Sequence, residues 1–545
     1  MSRSGLSVLM SGFAIAIVLS VALAFRIVSL ERRPMHGDEA NQAYRTGTLL
    51  EKGSYRYDPD DHHGPSLYYL TLPFLWLTGT GSFSESVEWQ FRIVPALFGV
   101  GLIFLLFLAT DGLGRNGILW AALLTAVSPA MVFYSRYYIQ ETLLVFFSFA
   151  ALACGWRYAR SGRLSWAISA GACLGMMHAT KETCVIVYAA MSGALALNVL
   201  TARLARSKSL STPVPDSSPC PRLLHVILGL LTAAAVSGIL FSSFLTHPSG
   251  IWDSLYAYGA YWRRGFGETS IHRHPWSYYL GLLAFSKRGP GPWWSEGMIL
   301  ALAVVGACFA FTRRQDLSRV PGFARFLVFY TGLLTLLYSA IPYKTPWCLL
   351  GFLHGMILLA GLGAEEMLRR IPRRAGRIAA VLILAVGAAH LVRQAYYANF
   401  VYEADVRNPY VYAHTSSALL RLVHRVEDLA AIHPDGYELR IDVIARNSDY
   451  WPLPWYLRRF TRVGYWTHVP APLQAPVIIA HVEAAERIEA ALEGAYHSEY
   501  HALRPGVLLL AYIRRDVWDR FIQTRVSWSG SDPTARVESS SPGST

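Results

Sequence analysis

Eleven apolar runs, most of them long enough to cross a bilayer, fill the first 399 residues and constrain this chain more than any other feature. They cover 7–30, 91–110, 118–133, 142–156, 164–177, 183–200, 224–246, 297–311, 326–341, 347–362 and 378–397. In hydrocarbon every backbone N–H and C=O must find its partner within the protein, so such runs read as spanning helices. The expected fold class is mainly α, a polytopic membrane bundle of about 11 transmembrane helices. Composition sharpens this by exclusion. Charged residues make up 16% of the chain and hydrophobic ones 53%, against about 25% charged in soluble domains. A disordered, collagen-like or ordinary cytosolic chain is excluded.

Charge supplies the orientation. The net charge is +13, yet from Phe400 onward 15 Lys/Arg face 17 Asp/Glu. The whole excess lies in the apolar part, which points to loop asymmetry and away from nucleic acid. Alternate connections hold Arg115, then Arg157, Arg160 and Arg163, then Arg203, Arg206, Lys208 and Arg222. Further along the same side hold Arg313, Arg314, Arg319 and Arg325, then Arg369, Arg370, Arg373, Arg374 and Arg377. The opposite short connections hold little beyond Arg136, Lys181 and Lys344. The positive-inside rule then sets the N-terminus in the cytoplasm of a plasma (inner) membrane and the C-terminal region outside it. Ala22-Leu23-Ala24 resembles a signal-peptidase site, but the apolar run is longer than a signal needs, which favours an uncleaved first helix.

Residues 1–399 read as the membrane module, with large outward loops at 31–88 and 247–296. Residues 66–77 and 276–285 suit interfacial or re-entrant helices, and 207–221 a flexible Ser/Pro linker. Residues 400–526 read as an extracytoplasmic α/β domain, with strands at 439–445, 476–481 and 506–513 and helices at 416–431 and 482–492. Residues 527–545 read as a disordered tail. The six cysteines, none beyond Cys348, show neither zinc spacing nor a disulfide framework.

Chemistry-bearing residues collect on the outward side. Met35-His36-Gly37-Asp38-Glu39-Ala40 puts two adjacent carboxylates just past the first run. On a helix their side chains diverge by about 100°, so one can face a cleft while the other supports it. Two solvated acids at a helix N-terminus would look the same. Asp58, Asp60, Asp61, His62 and His63 then lie close together, before Tyr68. They suit either a metal or a polar loop leading into an interfacial helix. Arg136 and Glu141 join the third and fourth runs, Lys181 the fifth and sixth, and Lys344 the ninth and tenth. Singly these cations read as snorkelling anchors. Together, on the face bearing Asp38 and Glu39, they suit a lipid-phosphate leaving group and a hydroxyl nucleophile.

The stretches His36–Ala40, His63-Gly64-Pro65-Ser66-Leu67-Tyr68-Tyr69, Ser135–Glu141 and Thr180-Lys181, in this order, resemble the GT-C superfamily of membrane glycosyltransferases. The likeness is to the branch of protein O-mannosyltransferases and lipid A aminoarabinose transferases (glycosyltransferase family 39-like). Asn408-Pro409-Tyr410-Val411-Tyr412-Ala413-His414-Thr415 and Asp449-Tyr450-Trp451-Pro452-Leu453-Pro454-Trp455-Tyr456 narrow it to the flippase-activity-associated protein group. The resemblance implies inverting transfer of a sugar, a hexose such as mannose, from a polyprenyl-phosphate donor to an acceptor hydroxyl. By it Asp38 matches the general base and Glu39 its support. Arg136 and Lys181 match the groups that neutralise the departing phosphate, and Glu141 the second acidic position. His63, ahead of the interfacial helix with Tyr68, matches a substrate contact. Lys344 joins the phosphate-binding set from topology alone. Some relatives hold a divalent metal and others do not, so the metal stays open. The Trp-Trp-Asp motif of oligosaccharyltransferases is missing, and nothing resembles the MIR domains of eukaryotic protein mannosyltransferases. The acceptor, whether glycan, lipid or protein, is therefore open. Alternative readings are a lipid-linked sugar flippase and a non-catalytic assembly protein for envelope glycans. The near absence of mid-membrane charge speaks against transport.

Overall fold

The computed structural model describes residues 3–60, 63–207, 222–266, 272–312, 322–446, 449–492 and 494–529. All eleven apolar runs are helical. Seven helices among the described residues are long and apolar enough to cross a membrane: Glu88–Leu113, Glu141–Ser161, Cys184–Leu204, Leu223–Phe241, Phe323–Ala340, Pro346–Arg370 and Arg374–Val401. The chain is an integral membrane protein. Two of the expected spans are shorter, Gly297–Phe311 and the 15-residue Leu164–His178, and the first run lies in the 25-residue helix Arg3–Ile27.

One expected span is broken. Residues 118–133 form two helices, Arg115–Val127 and Pro129–Ser135, bent by 59°. Pro129 has no N–H to continue the ladder and sits at the first position of a new helix. Ser128 caps that helix by accepting from the Met131 N–H. The fully buried Glu296 carboxylate reinforces the cap, accepting from the Ser128 hydroxyl, from the Ala130 N–H at 3.0 Å and from the Tyr410 hydroxyl at 2.8 Å.

The chain divides into two compact units, Met1–Arg33 with Arg45–Tyr412, and Pro34–Tyr44 with Ala413–Thr545. The first loop is thus shared out, and residues 400–412 fall in the helical unit. In that unit Leu350–Arg370 is central, packed on Arg115–Val127 and Gly297–Thr312. In the most apolar 18-residue stretch of Pro346–Arg370, 83% of residues are buried, against 11% in those of Leu223–Phe241 and Arg374–Val401, which turn their apolar faces outward. Leu164–His178 meets Leu223–Phe241 through small residues. A Cβ on Gly171 would lie 2.0 Å from the Gly229 carbonyl oxygen, so backbone packs on backbone there. Residues 247–296 hold a helix not expected from their sequence, Gly250–Phe266. They also hold a short helix, Tyr278–Ala284, and an antiparallel ladder of β1 (Ser286–Lys287) and β2 (Trp293–Trp294).

The second unit is built on a five-stranded mixed sheet. Its strands are β3 (Ile441–Ile444), β4 (Val463–Trp466), β5 (Val477–His481), β6 (Tyr496–Arg504) and β7 (Val507–Arg514), in the order β4-β3-β5-β7-β6. β3 runs parallel to β4 and β5, while β7 is antiparallel to β5 and β6. Ile444, Ile478, Ala480, Ile488, Leu510 and Tyr512 form one core cluster. The helix Ser417–Ile432 buries Leu419, Leu422, Val423, Val426 and Leu429, a 3.6-residue stripe. A last helix runs Arg515–Ser529 and takes in the first three residues of the expected tail. The rest of that tail, and all but the first residue of the linker at 207–221, lie outside the described residues.

Candidate functional site

In the helical unit the short connections bring charges together in an apolar setting. Glu141 opens the helix Glu141–Ser161, and Lys181 sits between Leu164–His178 and Cys184–Ser207. The Lys181 ammonium donates to Glu141 Oε1, and both side chains are buried. Burial alone would lower the Lys181 pKa, but the Glu141 carboxylate holds it above the ordinary value. Glu141 Oε2 is buried with no hydrogen-bond partner among the described residues.

The next residue, Glu182, forms a second pair. Its Oε2 lies 2.9 Å from His63 Nδ1, and its Oε1 accepts from the Tyr57 hydroxyl at 3.3 Å. Burial alone would raise the Glu182 carboxyl, yet His63 and Lys181 hold it below its usual range. The Tyr261 hydroxyl also lies 2.9 Å from His63 Nδ1. Backbone fastens the two loops. Ser66 N–H donates to the Ala179 carbonyl at 2.9 Å, and the Ser66 and Thr180 hydroxyls lie 2.8 Å apart. A Cβ on Gly64 would fall 2.3 Å from the Ala179 carbonyl oxygen, so only glycine permits this approach. Tyr68, two residues into the helix Ser66–Leu77, is fully buried with its ring edge-on to Tyr55 at 5.0 Å.

Arg136 and Lys344 are occupied differently. Arg136 donates to the carbonyls of Phe25 and Val28 at 3.0 and 2.8 Å and of Ser29 at 3.0 Å. Those are the carbonyls that the end of the helix Arg3–Ile27 leaves over. Arg33, Arg92 and Arg26 make similar bonds: Arg33 to the Arg136 carbonyl, Arg92 to those of Leu30 and Arg33, Arg26 to that of Thr125. Arg136 therefore clamps a helix terminus. Lys344 is buried, and its ammonium donates to the carbonyls of His274 and Ile341. Burial lowers its pKa.

In the second unit, residues 34–44 carry the acid pair. His36 caps the helix Gly37–Lys52 reciprocally. Its Nδ1 accepts from the Asp38 N–H at 3.0 Å, while Glu39 Oε2 accepts from the His36 N–H at 3.1 Å. Glu39 is fully buried; the Asp38 side chain is 51% exposed. The two acids thus differ as a helical placement predicts. The late motifs hold this turn. The Met35 N–H donates to the Tyr456 hydroxyl at 2.8 Å, and the Met35 carbonyl accepts from Thr415 Oγ1 at 2.7 Å. The His36 ring lies 5.0 Å from His414, and Trp451 lies against Gly37 and Tyr44.

Residues 63–214 match the family described as dolichyl-phosphate-mannose-protein mannosyltransferases. No curated protein matches the chain. Among solved structures it is similar to ArnT from Cupriavidus metallidurans bound to undecaprenyl phosphate. The TM-score is 0.61 at 16% identity, over 91% of this chain and 97% of that one. It is also similar to the archaeal oligosaccharyltransferase AglB from Archaeoglobus fulgidus in complex with an inhibitory peptide and a dolichol-phosphate. There the TM-score is 0.52 at 12% identity, over 94% and 74%. The chain has the GT-C fold.

On the GT-C fold, His63, Tyr68, Arg136, Glu141 and Lys181 lie inside the mannosyltransferase-like segment, and Asp38, Glu39 and Lys344 outside it. Among the described residues no group of three or more His, Cys, Asp and Glu is placed to hold a metal ion. Of the acids and histidines at 58–63 that suited a metal, Asp61 and His62 lie outside the described residues. Sequence reading missed Glu182 and Tyr261 as site residues. Glu182 adjoined Lys181 in the same polar connection, which was a usable signal. Tyr261 reaches His63 from 198 residues away, and no local pattern announces that.

Proposed function

We propose that the chain is an inverting glycosyltransferase that moves a sugar, a hexose such as mannose, from a polyprenyl-phosphate donor to an acceptor hydroxyl on the extracytoplasmic side of the membrane. The observation that carries this reading is the buried Lys181 ammonium, held charged by Glu141, within the mannosyltransferase-like segment of a GT-C fold. A fixed cation in a low-dielectric setting stabilises a departing phosphate far more than it would in water. That the similar ArnT structure holds undecaprenyl phosphate supports the choice of donor class.

The reaction assigns one role to each acid. The acceptor oxygen bonds to the anomeric carbon from the face opposite the phosphate, and its proton passes to the Asp38 carboxylate. The bond from that carbon to the phosphate oxygen breaks, and polyprenyl phosphate leaves with its negative charge toward Lys181. Asp38 suits the base because it is accessible; Glu39, buried in the cap, positions the turn. Arg136 and Lys344 contribute by holding backbone in place.

The test is transfer of radiolabelled hexose from polyprenyl-phosphate mannose or glucose by purified protein, beside Asp38→Asn. Label lost from the lipid by wild type alone supports the reading. An Asp38→Asn protein as active as wild type removes Asp38 from the mechanism. A folded wild type that consumes neither donor turns the balance to a flippase or an assembly protein.

A further inference from the structure

The second unit contains a polar cavity of about 230 Å³ that the proposed transfer reaction does not use. It lies where the three parallel strands end. β3 runs out into Ala445 and Arg446, β4 into Thr467 and His468, and β5 at His481, followed by Glu483. Arg446, Arg487, His468, His481 and Thr467 line it together with two acids, Asp449 and Glu483. The chain leaves β3 for β4 on one side, while β5 flanks β3 on the other. Open sheets with this arrangement leave a crevice outside the carboxyl ends of their strands, where ligands bind.

We infer that this cavity binds a small oxyanion, a phosphate or carboxylate, either free or carried on a single sugar. Four observations fix the chemistry. Arg446 and Arg487 make no ion pair among the described residues, although both line the cavity. Asp449, the acid that could cancel Arg446, is engaged by Arg504. Glu483, the other lining acid, has its side chain 71% exposed, so solvent screens its charge. His481 Nδ1 accepts from the Glu483 N–H at 3.3 Å, so the neutral ring carries its proton on Nε2 and adds a donor. Two guanidiniums and an imidazole donor match a planar or tetrahedral oxyanion. The cavity is large enough to hold several waters or a small anion.

The experiment is calorimetric titration of the full chain in detergent with inorganic phosphate, glucose 6-phosphate, glucuronate and glucose. Glucose should not bind, and at least one of the three anions should. Phosphate binding as tightly as glucose 6-phosphate would assign the free anion. Tighter binding of glucose 6-phosphate or glucuronate would assign a charged sugar. The double variant Arg446→Gln/Arg487→Gln should weaken binding by about 10- to 100-fold, and Arg446→Lys/Arg487→Lys should restore part of it. Both variants lie on the unit's surface, and an unchanged melting temperature shows that they fold. Absence of anion binding to wild type, or affinity unchanged in the double Gln variant, overturns the inference. The readout is binding, so it stands or falls separately from sugar transfer.

Discussion

The chain keeps its acids in two contrasting settings. In the helical unit Glu141 and Glu182 are buried, and each is matched to a base, Lys181 and His63. In the sheet unit Asp38 stands half in solvent, while its neighbour Glu39 is consumed by a helix cap. A buried, paired carboxylate fixes charge, because removing its partner leaves an ion where water cannot reach it. An exposed carboxylate can accept and release a proton at little cost. The contrast separates electrostatic work from proton transfer, and four changes test it.

The largest effect should come from Asp38→Asn. A lost general base lowers turnover by about 10²–10⁴-fold, and an exposed isosteric change should leave the melting temperature where it was. A large drop in stability would mean that Asp38 is structural. Next comes Lys181→Met, which strands Glu141 and should cost about 3–5 kcal/mol, read by thermal unfolding in detergent. Pairing it with Glu141→Leu should recover most of the loss. A single variant as stable as wild type would show that the pair is hydrated, and the contrast would fail.

Tyr456→Phe should have a smaller effect. It removes the hydrogen bond to the buried Met35 N–H, worth about 0.5–1.5 kcal/mol, and should reduce kcat while donor KM stays constant. A change in KM alone would place Tyr456 in donor binding instead. The smallest effect is the pH response of Glu182. Its pKa is lowered in the folded chain, so its contribution is complete above the usual carboxylate range and disappears as pH falls through the lowered value. Melting curves from pH 7 to pH 3 should show wild type losing this increment and Glu182→Gln lacking it throughout. Parallel curves would indicate that Glu182 is not held below its usual range by His63 and Lys181.

Apolar periodicity made the membrane helices legible, because each must satisfy its own backbone. It missed the break at Pro129, since the run of apolar residues continues across a change of direction that only the proline and the Ser128 cap record. In the sheet, β3, β5 and β7 were readable because their residues are largely buried. β4 and β6 form the two edges, with half-exposed sequences such as Tyr496-His497-Ser498-Glu499 that carry no apolar signal. The candidate site divides in the same way. Glu141 and Lys181 emerged from order along the chain and do meet. The occupation of Arg136 by carbonyls at the end of the first helix was invisible, because unused backbone acceptors leave no mark in a sequence.

The contact of Gly64 with Ala179 bears on how such a chain can diverge. Charged residues around it can be exchanged in compensating pairs, as an ion pair can be reversed or replaced by apolar neighbours. The loop crossing has no such freedom. Any side chain at position 64 would meet a carbonyl oxygen at 2.3 Å, and no second substitution removes a backbone atom. Across descendants of this sequence, the residue without chemistry should therefore be harder to replace than the charged residues it brings together.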